Sequence, residues 1–129
     1  NGYETFTTQL KQRIQHSQVR AAFAVSQELV TLYWHMGQDI VNAQERYQWG
    51  DKVLERISQD LKAAFPGVEG FSRTNLYRIR AFYLAYQSQP EIVPQLVGRI
   101  PWGHNAVLLE KVKDPTQRFW YAQQTLENG

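Results

Sequence analysis

The feature that most restricts how this chain can fold is its opening. From residue 5 to about 47 there is no proline, and apolar side chains recur in steps of three and four. Phe6, Leu10 and Ile14 begin the series; Ala22, Val25, Leu29, Leu32, Met36, Ile40, Ala43 and Tyr47 continue it. That period belongs to an amphipathic helix, so the segment is one long helix or two joined near Gly37. At about 1.5 Å per residue it spans on the order of 60 Å. A chain of 129 residues makes one compact domain, whose core needs no rod of that length. One end therefore projects, or pairs with a second copy through the near-heptad run from Ala22 to Tyr47.

Downstream, the pattern breaks at "QWG" (48–50) and resumes in "DKVLERISQDLKAAF". There Val53, Leu54, Ile57, Leu61, Ala64 and Phe65 share one helical stripe. Pro66 stops that helix and "PGVEG" supplies turn chemistry. Ser72 reads as an N-cap, and Phe71 and Leu76 have the spacing of a hydrophobic staple. A helix over 72–87 follows and ends before Pro90. Three shorter helices are expected at 91–99, with Pro94 in its first turn, at about 103–112, and from Asp114. In the last, Pro115 takes the first helical position and Gln117 the capping-box spacing. No alternating strand segment and no internal repeat is found. The reading is all-α: a multi-helix domain, single over 1–129, with one long N-terminal helix and a helix-turn-helix-like unit at about 51–87.

Charge becomes informative only locally. Lys and Arg number 14 against 12 acids, a net +2, which by itself barely argues for an anionic partner. Helix 72–87, however, carries Arg73, Arg78 and Arg80 and no acid. At 100° per residue, about the α-helical step, Leu76, Ile79, Phe82, Tyr83 and Tyr86 face the core. Arg73, Thr74, Tyr77, Arg78 and Ala81 face out, with Arg80 on the flank and Asn75 near the N-terminus. A capped helix N-terminus with arginine, threonine and tyrosine suits phosphate, and the second helix of such a unit meets base edges. The expected DNA contacts are therefore Arg73, Thr74, Asn75, Tyr77, Arg78 and Arg80, with their guanidinium groups held free. The competing reading is a solvated face whose arginines pair with acids from other helices.

Catalytic chemistry is not expected in these residues. The nearest approach to a metal-holding carboxylate with a neighbouring lysine, Asp60-Leu61-Lys62, lies mid-helix with its two charges about 200° apart. His16, His35 and His104 have no metal-ligand spacing and there is no cysteine. His104 is expected to be a cap or a packed ring. Trp34, Trp49, Trp102 and Trp120 are assigned to core and staple roles rather than to stacking on unpaired bases. No cofactor and no metal is expected here. The chain has no membrane-length apolar run and no signal-peptide core, which leads us to expect a cytoplasmic protein. It starts without Met, as an excised fragment would.

Four separated blocks carry a family resemblance: "YWHMGQDIV", "WGDKVLERISQDLKAAFPGVEGFSRTNLYRIRAFY", "PWGHNAVLLEKVKDP" and "RFWYAQQTLENG". In order and spacing they resemble the helical N-terminal domain of bacterial YhcG-like nucleases, over roughly residues 24–129. Gly103 departs from the serine that is frequent there. The resemblance implies a DNA-binding or DNA-positioning module preceding a PD-(D/E)XK nuclease domain. That domain, and the Mg²⁺ it would use, lie outside these 129 residues. The alternative is a protein-interaction or homodimerisation module built on helix 5–47.

Overall fold

The computed structural model describes residues 2–128, the side chains of 19–23 excepted. Helix α1 (Gly2–Tyr47) is followed by α2 (Val53–Ala64), α3 (Arg73–Tyr86) and α4 (Ile92–Gln95). A 3₁₀ turn at Val97–Arg99, α5 (Trp102–Lys111) and α6 (Pro115–Asn128) complete the chain. No strand occurs among the described residues, and the fold is all-α.

α1 runs unbroken through Gly37, so the long segment is one helix and not two. The glycine has a different task. A Cβ built on it would lie 2.7 Å from the Ile79 carbonyl oxygen and 2.7 Å from Tyr83 Cβ. α1 and α3 thus meet almost backbone to backbone, which only a residue without a side chain permits. Around that contact Val30, Trp34, Phe82, Tyr86, Val97 and Ile100 form one buried cluster. Tyr33, Ile40, Leu54, Leu76 and Ile79 form another. Trp102 packs against both, edge-on to Tyr33 at 4.8 Å and to Phe82 at 5.4 Å between ring centres. Each large apolar side chain so enclosed contributes about 1.5–3 kcal/mol.

The face of α1 that meets this core is not the stripe most visible in the sequence. Val30, Tyr33, Trp34, Gly37, Ile40 and Val41 are buried. Of the series beginning at Phe6, only Ile40 is buried, while Met36 and Ala43 are half-covered. Phe6, Leu10, Ile14, Val25, Leu29, Leu32 and Tyr47 are exposed; Ala22 lies outside the described side chains. α1 therefore has two apolar faces, and the run from Ala22 to Tyr47 divides between them.

Other local expectations change for similar reasons. α2 buries Leu54 and half-covers Val53, Ile57 and Leu61, but leaves Ala64 and Phe65 exposed. The helix expected at 91–99 breaks into α4 and the 3₁₀ turn, where Gly98 sits directly on the Val93 carbonyl. Buried Asn105 secures that turn: its Nδ2 donates to the carbonyls of Val97 at 2.9 Å and Ile100 at 3.0 Å. The neighbouring His104 is exposed, neither a cap nor a packed ring. α6 starts as expected, with Asp114 Oδ1 accepting from Thr116 N at 2.8 Å. Its Arg118 is buried, 5.3 Å from the centre of the Tyr86 ring. Burial pushes the Tyr86 phenol up, against the opposing pull of the Arg118 charge.

Candidate nucleic-acid interface

α2, an eight-residue connection and α3 form the helix-turn-helix-like unit. The connection is longer than the three or four residues (about the usual turn) of the simplest such units, yet it is firmly anchored. Ser58, buried on α2, donates from Oγ to the Phe71 carbonyl at 2.6 Å. Gly70 takes φ +102° directly beneath the Tyr33 hydroxyl, a conformation and a clearance that both require glycine. Ser72 caps α3 in the way its sequence position implies, with Oγ accepting from Asn75 N at 3.1 Å. Leu76, Ile79, Phe82 and Tyr86 are buried beneath the helix, and Tyr83 is half-buried. The lower face of α3 is therefore the one expected.

The upper face is more divided. Arg73 and Thr74 are exposed, and Arg73 has no carboxylate partner among the described residues; its guanidinium lies 5.7 Å from the centre of the Tyr77 ring. Arg78 Nε donates to Glu110 Oε1 of α5 at 2.9 Å, in a pair that leaves its side chain 42% exposed. Arg80 is committed: Nη1 donates to Asp51 Oδ1 at 2.8 Å and to Gln44 Oε1 at 3.1 Å, and only 17% of the side chain reaches solvent. Hydrogen bonding to Arg80 and its positive charge hold the Asp51 carboxyl below the usual carboxylate range. The expectation of three free guanidinium groups is thus corrected. The acids absent from α3 are supplied by the α1–α2 turn and by α5, which local sequence does not reveal.

Asn75 is also engaged from within. Its Nδ2 donates to the Gly70 carbonyl at 2.6 Å and its Oδ1 accepts from Trp102 Nε1 at 2.8 Å. Burial raises the pKa of the nearby Tyr33 phenol, and a hydrogen bond to Asn75 opposes that shift. Asn75 is accordingly a strut between the turn, α1 and α5. Tyr77 donates its hydroxyl to the Asp51 carbonyl at 3.3 Å, and Arg80 lies 5.0 Å from its ring centre. Arg73, Thr74, Tyr77, Arg78, Ala81 and Glu110 then line one shallow groove.

Beside it, across Asp51, lies a surface missed in the sequence. Tyr47 and Trp49 stack at 4.8 Å with an interplanar angle of 26°, and both are exposed. Gln48 between them adopts φ +56°, turning the chain out of α1. Trp49 lines a second shallow groove with Lys52, Arg56 and Asp60. Trp34 and Trp102 have the packed roles assigned to them, whereas Trp49 and Trp120 are exposed. The "QWG" break was legible as a break; its aromatic display depends on the backbone turn.

No group of three or more metal-binding side chains occurs among the described residues, where Asp60 and Lys62 are both exposed on α2. No described helix is long and apolar enough to cross a membrane. Fold and surface together define an all-α domain in which one long helix carries a helix-turn-helix-like pair. The chain belongs to the family of the DUF1016 N-terminal domain, whose model matches residues 9–129. This is the YhcG-like family of the resemblance, and the match reaches back into the first half of α1. Neither the curated proteins nor the solved structures contain a match to the chain.

Proposed function

We propose that this domain binds duplex DNA along the upper face of α3 and serves as the DNA-positioning module of a longer nuclease. The observation that carries the reading is the exposed Arg73–Thr74–Arg78 face at a capped helix N-terminus. Tyr77 ties that face, through its hydroxyl bond to the Asp51 carbonyl, to the turn that carries the Tyr47–Trp49 stack and precedes the cations Lys52 and Arg56. Cations with interleaved aromatic rings are the footprint of a nucleic-acid surface. The Arg78–Glu110 pair does not oppose this, because an exposed ion pair is worth about 0–1 kcal/mol and exchanges readily for a phosphate. Arg80 and Asn75 hold the unit together instead of touching DNA, and Tyr77 supports the two outer arginines.

The test is the double substitution Arg73→Glu with Arg78→Glu. Duplex affinity measured by fluorescence anisotropy at ~100 mM salt should fall by at least tenfold, and the salt dependence should flatten by about one unit of slope for each phosphate no longer neutralised. Far-ultraviolet circular dichroism should be unchanged, since both side chains are surface groups. Unchanged affinity with an intact fold would refute the proposal.

A further inference from the structure

The first 32 residues pose a question that the folded head does not answer. Among large apolar side chains there, Tyr3, Phe6, Leu10, Val25, Leu29 and Leu32 are exposed, Tyr3 to 74% and Val25 to 68%. At 100° per residue, about the α-helical step, they form one stripe roughly opposite the face that α1 turns to α3. Ile14 lies within the stripe and is 56% exposed. Those seven side chains present on the order of 800 Å², the area one partner gives to an interface of standard size. A stripe of that extent on a projecting helix needs a cover.

Its spacing identifies the cover. From one end, Tyr3, Phe6 and Leu10 are separated by three and then four residues; from the other, Leu32, Leu29 and Val25 are separated by three and then four. The pattern is the same read from either end. An antiparallel second copy therefore puts Tyr3 opposite Leu32, Phe6 opposite Leu29 and Leu10 opposite Val25, all in one register. Charge does not oppose this register. Over the paired residues, 3–17 contain Glu4 against Lys11 and Arg13, a net +1, and 18–32 contain Arg20 and Glu28, a net of zero. Glu28, exposed within the stripe, would face itself in a parallel pair. In the antiparallel register it faces Thr7 of the second copy, with Glu4 and Lys11 each about one turn away.

We propose that the domain is a homodimer in which two α1 helices pack antiparallel, Tyr3, Phe6 and Leu10 of each against Leu32, Leu29 and Val25 of the other. The absence of cysteine from the chain makes the orientation directly readable. In sedimentation equilibrium the protein should have twice the chain mass at ~50 µM, and Phe6→Glu with Leu10→Glu should halve it while the near-ultraviolet spectrum of the head is retained. Under mild oxidation, Leu10→Cys mixed with Val25→Cys should form the mixed disulfide dimer, and neither alone should cross-link efficiently. A wild-type monomer at that concentration, or a dimer indifferent to the glutamates, would overturn the interface. Efficient homodisulfides from each single-cysteine chain would overturn the antiparallel arrangement.

Discussion

On the proposed reading, Glu110 sets the strength of a surface without belonging to the side chains that would meet DNA. Its carboxylate accepts from Arg78 at 2.9 Å in a pair open to water on both sides. The attraction is modest, and a phosphate must compete only with that. Asp51 is held differently, because Arg80 is also bonded to Gln44 and is mostly covered. Its lowered pKa means that this pair contributes above the ordinary carboxylate range and is lost only as pH falls through the lowered value. Near neutrality the Asp51 carboxylate stays charged and keeps Arg80, so substitution is the way to expose the arginines. We expect Glu110→Gln to tighten duplex binding by about threefold to tenfold and to steepen the salt dependence by up to one unit of slope. Asp51→Asn should do much less, since Gln44 still retains Arg80. Anisotropy titrations over a range of salt read both; a Glu110→Gln domain no tighter than wild type would place the polyanion elsewhere than over Arg78.

At the scale of the helices, the packing of α1 on α3 turns on Gly37. The propensity gain of alanine in a helix, about 1 kcal/mol over glycine, is opposed by a Cβ at 2.7 Å from the Ile79 carbonyl. Backbone cannot give way as a flexible side chain can, so the helices must separate. Gly37→Ala should destabilise the domain by about 1–3 kcal/mol, the usual cost of overpacking, measured as a lower urea midpoint without a change in slope. The sequence exposed this glycine only as a candidate joint, because a close approach depends on what lies across it. By contrast, the Ser72 cap and the buried side of α3 were legible, since both follow from residues within two turns of one another. α1 was legible as a helix but not as to its buried side: it is apolar on both, and the head leaves most of the visible stripe uncovered while taking Ile40 from it. Asn105 escaped notice beside His104 because its partners, the Val97 and Ile100 carbonyls, exist only after the 3₁₀ turn forms. The ion pairs of Arg78 and Arg80 were legible only as the competing reading and without their partners, because the acids lie 32 and 29 residues away.

For the whole molecule, the two proposals together fix an arrangement that neither fixes alone. The antiparallel register centres the α1 pair between residues 17 and 18, so the two copies of Gly37 lie 39 residues apart along it. At about 1.5 Å per residue that separates the heads by about 60 Å. Each α3 packs on the side of its α1 turned away from the stripe, and the arginine face of α3 points further outward still. The two DNA-binding faces therefore look in opposite directions from opposite sides of the rod. A straight duplex cannot lie on both, and linkage gives no gain in affinity where geometry forbids simultaneous engagement. Such a dimer holds two separate DNA segments instead of clamping one. Lengthening a duplex from ~15 to ~40 base pairs should accordingly raise affinity by no more than the added number of sites, without the steep gain of a clamp. Wild-type protein bound to an immobilised duplex should capture a second, labelled duplex from solution. The Phe6→Glu, Leu10→Glu chain should bind the first and capture no second. Capture by that monomeric variant, or an avidity gain on the longer duplex in the wild type, would show that the heads are disposed otherwise.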